Sequence, residues 1–549
     1  MKRLNVRLLA AAMFLSLFAA GQNSFTVVHQ LLQANCSGAG CHNGSTATFN
    51  VNQPEASVYS SLVNITPLNP TAAGKGNKLV APGDPGRSFL LRKMSHGVSS
   101  GLAITQPAEG NYMPYNANPL DDKDFEYIRQ WILYGAPQTG NVVDTALVNA
   151  YYRDGGIDGT YAQHDPPPAG QGQQIYLGKV FVPPATESEF FIKYDMQFAN
   201  NTEIPKIVSL MPPQTHHFVM YKFMPGTATQ YSPGLRDLSQ DSHSDTRNPI
   251  ATGPGLWDYD LPAGTAYFWE AGTFIDLNLH IKNTNQDSIL GVDLYINVYT
   301  QPQGTAQNYM NVLLFPNLDI TIPQDGQEHT FTVEELDPFA TNKWKVWNIY
   351  THTHKYGNDY DVYMRNPNGT KGNQIYEGMY SYEQGFMVGY YRWGPEVTFE
   401  YFPDQALLEI DPRDGIIHEA KFRNTAGPDP VYWGLTSDDE MMVVGIQYVN
   451  GDALTDLPST NAATKHPIHL FPNPGKGTLS INYTLDKAED LVIDVINTVG
   501  AKVKNLFAGR QSGGVHTQTF DTESLAPGIY FIQTTISGKA VTQKLVVTE

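Results

Sequence analysis

Leu277-Asn278-Leu279-His280-Ile281 alternates apolar and polar residues with a period of two. That is the pattern of a strand whose two faces meet different surroundings. Further runs read as strands. They are Phe190-Phe191-Ile192-Lys193-Tyr194, Phe218-Val219-Met220-Tyr221-Lys222-Phe223, Leu294-Tyr295-Ile296-Asn297-Val298-Tyr299, Tyr360-Asp361-Val362-Tyr363-Met364 and Met442-Val443-Val444-Gly445-Ile446. Turn clusters such as Asn366-Pro367-Asn368-Gly369 separate them. Many short strands without long helices predict antiparallel β-sandwiches. The length suits two of them, residues 165–303 and 304–451.

On either side the pattern changes. Residues 22–140 read as a small helical domain, with a short helix from Phe25 to Ala34 and another over Asp122–Leu133. In the second, Phe125, Ile128, Ile132 and Leu133 fall on one face and Gly135 ends the helix. Residues 141–164 and the polar or small stretch 452–467 read as linkers, and 468–549 as a further small β unit. The fold class expected is therefore multidomain and mainly β, with one small α-helical domain, two antiparallel β-sandwiches and a C-terminal small β-sandwich.

At 549 residues the chain is too long for one core. Residues 1–21 read as a secretory signal peptide: Lys2, Arg3 and Arg7 precede the apolar run from Leu8 to Ala20, and small residues close it. No later stretch is long and apolar enough for a transmembrane segment. The net charge of −19 argues against nucleic acid and anionic membrane surfaces as partners. Cys36 and Cys41 are the two cysteines, so no disulfide framework is expected.

In Cys36-Ser37-Gly38-Ala39-Gly40-Cys41-His42 a cysteine pair runs directly into a histidine, with four residues between the thiols where the usual haem attachment signal has two. Two thiols can add to the haem vinyl groups while the adjacent histidine sits under the iron. The alternative is a Cys36–Cys41 disulfide beside an incidental His42. Over residues 25–138 the chain resembles the cytochrome c family in a wider-spaced variant. Tyr112-Met113-Pro114 is like the family's distal Met-Pro, and Ile128-Arg129-Gln130-Trp131-Ile132 is like its C-terminal helix. The resemblance implies haem c on Cys36 and Cys41, with His42 as proximal and Met113 as distal ligand. Met94 and His96 are rivals for the distal position.

Four further pieces carry five imidazoles and one thioether: Thr215-His216-His217-Phe218, Leu279-His280-Ile281, His352-Thr353-His354 and Asp439-Glu440-Met441. Imidazole suits copper in either redox state and a thioether favours Cu(I). On a regular strand His352 and His354 share a face. His216 and His217 would point to opposite faces, and both reach one ion only at a bend or bulge. His280 is a candidate third ligand.

Over residues 165–450 these motifs resemble, in order and broad spacing, the copper type II, ascorbate-dependent monooxygenases of the peptidylglycine and dopamine hydroxylase type. The resemblance implies two copper ions. His216, His217 and His280 would hold an electron-donating copper. His352, His354 and Met441 would form the catalytic, oxygen-activating copper site. It implies a secreted monooxygenase that hydroxylates a C–H bond with O2, using an external reductant and an unidentified small-molecule or peptide substrate; because the haem motif shares the chain, electrons are expected to reach copper through the protein's own haem. The alternative is a copper- and haem-binding electron-transfer or binding protein without hydroxylase activity. The peptide-amidating branch has an arginine where this chain has Tyr350, and an asparagine and a tyrosine where it has Val443 and Gly445. Peptide amidation is therefore not expected.

Phe471-Pro472-Asn473-Pro474, Leu525-Ala526-Pro527-Gly528-Ile529-Tyr530 and the closing Lys544-Leu545-Val546-Val547 resemble the type IX secretion sorting domain. This implies a secretion-machinery partner, export through the periplasm, removal of the unit, and a secreted or cell-surface location.

Overall fold

The computed structural model describes residues 22–38, 41–44, 49–98, 101–159, 165–210, 214–237, 246–253, 256–379, 407–434, 436, 438–453, 469–471, 477–485, 487–497, 502–522, 524–536 and 539–547. The expected signal peptide, 1–21, lies outside these residues, as does most of the expected linker 452–467. The protein is multidomain and mainly β, with its strands in several sheets. It divides into two compact units between Tyr152 and Arg153. Among the described residues no helix is long and apolar enough to cross a membrane.

The first unit is helical. Helix Asp122–Leu133 lies where the apolar periodicity predicts it, and Ser24–Cys36 covers the expected short helix Phe25–Ala34. They meet through Phe25 and Trp131, whose ring centroids are 5.2 Å apart. Asp121 caps the second helix by accepting from the Lys123 amide. Within it Glu126 is buried but not alone: Arg129 pairs with it, Gln130 Nε2 donates at 2.7 Å and the Tyr152 hydroxyl donates at 3.3 Å. Part of 141–164, expected as a linker, is the helix Thr145–Asp154 and the two-residue strand Ile157–Asp158.

In the second unit the predicted strands form several sheets. A seven-stranded sheet centres on Leu290–Pro302 and Thr202–Leu210. A five-stranded sheet runs Gly234–Asp237, Glu187–Asp195, Phe274–Lys282, Thr215–Phe223, Arg247–Gly253. The chain then changes sheets: Asn308–Tyr309 pairs with Thr265–Trp269, while Asn311–Pro316 pairs with Met442–Ala453. The crossing thus falls between Tyr309 and Asn311, later than the 303/304 division expected. Two four-stranded sheets follow. One is built on Asn342–Thr353 and Met442–Ala453, the other on Gly357–Arg365 and Ile416–Arg423. They share one core, with Val346, Ile349, Val444 and Ile446 from the first and Tyr360, Val362, Ala420 and Phe422 from the second. The C-terminal residues repeat this plan on a smaller scale. A three-stranded and a four-stranded sheet close over Leu479, Ile481, Ile493 and Ile532.

Glu203 pins the crossing between the sheet groups. Its fully buried carboxylate accepts from the Gly304 amide at 2.6 Å, the Ala306 amide at 2.7 Å, Gln301 Nε2 at 3.1 Å and the Tyr309 hydroxyl at 3.2 Å. Burial alone would raise its pKa, but these donors outweigh it and hold the carboxyl below its ordinary value. A depressed carboxyl contributes stability that is present above its unfolded pKa of about 4.3. That stability is lost as pH falls through the lower folded value. Glu203→Gln is therefore expected to lower stability near neutrality and to flatten the acid limb of a urea-unfolding pH series. An unchanged acid limb would show that this cluster carries no such stability.

Candidate functional site

The five-stranded sheet explains why two adjacent histidines occur in one strand. His280 stands opposite His217, and the next residue, Ile281, stands opposite Thr215. His216 is thus the extra residue of a β-bulge. The backbone irregularity needed for both histidines to approach one ion is present at that step. The side chains of His216 and His217 lie outside the described residues. His280 is buried, and Glu187 Oε2 lies 3.3 Å from its Nε2.

Strand Phe274–Lys282 is buried on both faces, and its polar face consists of paired groups. Asp276 binds Arg236 and Arg247, and Asn278 donates to Glu189 Oε1 at 2.8 Å. Tyr221 stands opposite Asp276, on the same face as His280.

In the second sheet group the register unites residues distant in sequence. Thr351 pairs with Val444, His352 with Val443 and Thr353 with Met442. Met442, Val444 and Ile446 point into the shared core. The opposite face therefore carries Tyr350, His352, His354, Met441, Val443 and Gly445. The imidazoles of His352 and His354 stand 5.3 Å apart at 85°. Met441 falls one step beyond the last ladder pair, beside His354, and both are buried. The two imidazoles are thus neighbours, and the methionine follows one residue past the end of the ladder. His354 Nδ1 lies 3.2 Å from the Asp439 carbonyl. A carbonyl only accepts, so Nδ1 carries the proton and the lone pair falls on Nε2. Both ring position and tautomer are then set by the backbone just before Met441.

Glu440 sits behind this cluster. Its carboxylate accepts from the amides of His354, of Met441 at 2.7 Å and of Tyr356 at 2.9 Å. Burial raises its pKa, and the amides donating to both oxygens pull it back toward the ionised form. Sequence reading overlooked this residue. The signal was a carboxylate directly before the candidate methionine.

The face bearing His352 and His354 is turned toward the first sheet group. Asn348 Nδ2 donates to Gln447 Oε1 at 2.9 Å, and Gln447 Nε2 donates to the Tyr267 hydroxyl at 3.0 Å. Burial raises the pKa of Tyr221 and of Tyr267, and Tyr350 adds to both. Tyr350, on the face of His352, is thus near enough to Tyr221 and Tyr267 to act on them electrostatically. A side chain on Gly445, the cross-strand partner of Tyr350, would overlap the tyrosine ring. The bulky ring and the missing side chain are one steric unit. Gly445→Ala is expected to destabilise by about 1–3 kcal/mol through overpacking. Combining it with Tyr350→Ala should recover most of that loss in a double-mutant cycle. Simple additivity would refute the coupling.

Among the described residues no three His, Cys, Asp or Glu side chains form a metal-binding group. At His352 and His354 the third donor would be the thioether of Met441.

In the first unit Cys36 and Cys41 are not joined by a disulfide. The intervening loop closes through the Cys41 amide to the Gly38 carbonyl and the His42 amide to the Cys36 carbonyl, each at 3.0 Å. Burial, with Cys41 adding, pushes the Cys36 thiol up to about 11. His42 stacks on Phe49 at 4.1 Å. Burial is the largest effect on its pKa and Lys93 acts in the same direction, so it is lowered and the neutral, ligating form is favoured. The Met113 amide donates to the carbonyl of that same Lys93 at 2.7 Å. Of the rival ligands, Met94 is buried and His96 is exposed. His29 is buried with Nε2 2.7 Å from the Val51 carbonyl, and His418 is buried with Nδ1 2.7 Å from the Tyr360 hydroxyl. Both fit structural roles. His164 lies outside the described residues.

Residues 469–548 match the secretion system C-terminal sorting domain. The protein is accordingly exported, to the cell surface or beyond it, and the secretion machinery is a partner. No curated protein matches the chain. Solved structures with some likeness include a β-glucuronidase from Faecalibacterium prausnitzii (10% identity, 40% of this chain and 36% of that one, TM-score 0.12). Others are a β-1,2-glucanase from Parabacteroides distasonis (10%, 44% and 33%, 0.14) and an α-2-macroglobulin from Escherichia coli (10%, 65% and 20%, 0.13). The chain spans about a third of the two glycosidases and a fifth of the macroglobulin. Likeness at this level carries no argument about function.

Proposed function

We propose that this exported protein is a copper-dependent monooxygenase, an oxidoreductase that uses O2 and an external reductant to hydroxylate a C–H bond. Its architecture on this reading is a cytochrome c-like domain, two antiparallel β-sandwiches and the sorting domain. The observation that carries the reading is the adjacency of the His352 and His354 imidazoles, with Met441, from a distant part of the chain, one residue past the ladder pair Thr353–Met442; this donor set suits copper. Copper at this site would supply O2 activation, and a second copper at His216, His217 and His280 would supply the second electron. The chain's own contributions are positional. Asp439 fixes the tautomer of His354, and Glu187 meets the imidazole of His280. Tyr350, packed over Gly445, stands at the position where the amidating branch has an arginine, so no peptide amidation is expected. A glycine-extended peptide turned over efficiently would overturn that exclusion.

Haem c on Cys36 and Cys41, with His42 and Met113 as axial ligands, would be the electron entry. The unjoined thiols and the lowered pKa of His42 fit this role. His/Met ligation suits a high-potential transfer site. The test is metal analysis and a visible spectrum of protein matured in a haem-loading host, followed by O2 consumption with reductant across a substrate panel. Met441→Ala should abolish substrate-dependent O2 uptake. Equal rates in wild type and variant would favour a copper- and haem-binding electron-transfer protein. Stopped-flow reduction tests the relay: a reduced haem that never reoxidises with copper and O2 present rules it out.

A further inference from the structure

We infer that Glu440 is a positioning residue that holds the His354 and Met441 backbones in metal-binding register before any metal arrives. This rests on the reading of His352, His354 and Met441 as a copper site. The two backbones come from strands joined only through long-range pairing, and the ladder stops at Thr353 and Met442, one residue short of both. Something other than the ladder must therefore fix them.

Glu440 does so from a fully buried position. One carboxylate oxygen takes both the His354 and the Met441 amide, so these two residues are tied to a single atom. The other oxygen takes the Tyr356 amide and so holds the turn that follows His354. The main chain of Glu440 is anchored in turn. Its amide donates to the Tyr432 carbonyl and its carbonyl accepts from Gly434, each at 3.0 Å. A carboxylate has lone pairs enough for several donors in one plane, and a side-chain amide does not. In Glu440→Gln the amide NH2 would face backbone N–H donors, and at least one buried amide would lose its acceptor. Outer-shell partners of metal ligands change affinity by roughly 10–100-fold when removed. An effect of that size is expected here.

Three measurements test this. In metal-free wild type, the His354 and Met441 amides should exchange hydrogen as slowly as those of Ile349 and Val444 in the adjoining ladder. Fast exchange that slows only when Cu(I) is added would mean that the metal orders the site, and would overturn the inference without using a variant. Glu440→Gln should weaken Cu(I) binding roughly 10–100-fold and remove copper–sulfur scattering from the X-ray absorption spectrum, and Glu440→Asp should restore part of both. A folded Glu440→Gln protein with wild-type Cu(I) affinity and sulfur scattering would overturn the inference while leaving the copper reading intact. Wild type that shows no copper–sulfur scattering, or shows it unchanged in Met441→Ala, would overturn the copper reading and this inference with it.

Discussion

On the proposed copper reading, replacing His354 by alanine should remove one copper per chain and reduce reductant-driven, substrate-dependent O2 consumption to background. The expected loss exceeds the roughly 10–100-fold typical of outer-shell partners, because a donor atom itself is removed. His354 is the most constrained member of its cluster. It is buried, its tautomer is fixed by the Asp439 carbonyl, and its backbone is held by Glu440. No other described imidazole on that face could replace it except His352, which stands beside it already. The visible spectrum of haem at the proposed site should be unchanged, since Cys36, Cys41, His42 and Met113 belong to the other unit. Metal analysis and oxygen-electrode rates on the same preparation give the result. A His354→Ala protein that keeps two coppers and full O2 uptake would remove the basis for the monooxygenase reading.

Much of this arrangement is legible in the sequence because strands impose a period of two. The shared face of His352 and His354 follows from their spacing alone. The helix Asp122–Leu133 follows from the apolar stripe of Phe125, Ile128 and Ile132. The adjacency of His216 and His217 implies an irregular strand, and the register shows a bulge there. Cross-strand pairing is not local information, so the juxtaposition of Met441 with His354 could be proposed only by resemblance. Glu440 was missed because its partners are backbone amides, and amides leave no mark on composition. The pairing of Tyr350 with Gly445 was hidden in the same way. Each residue is unremarkable in its own strand, and only the register makes the ring and the absent side chain complementary. The burial of Asp276 was also not apparent. A polar residue in an alternating run reads as solvent-facing, whereas here the second face of the sheet is covered too.

That covered face supports the other large effect. Asp276 accepts from Arg236 at 2.9 and 2.8 Å and also binds Arg247, with all three residues buried. Arg247 lies over the rings of Phe191 at 4.8 Å and Tyr231 at 5.1 Å, so neither guanidinium can reach water without unpacking the sheet. Alanine at 276 would take from two buried cations the carboxylate that both bind. Breaking one member out of such a cluster costs about 3–5 kcal/mol. That is a large part of the roughly 5–15 kcal/mol that holds a domain together. Replacing all three residues by apolar side chains of similar volume should cost far less, since the desolvation of the charges disappears with them. Asp276 shares its strand face with Asn278 and His280. The alanine variant should therefore also weaken copper binding at His280 before the protein unfolds, visible as loss of one metal at urea concentrations where circular dichroism is still native. A midpoint shift equivalent to less than about 1 kcal/mol would mean that water enters this face and solvates the arginines.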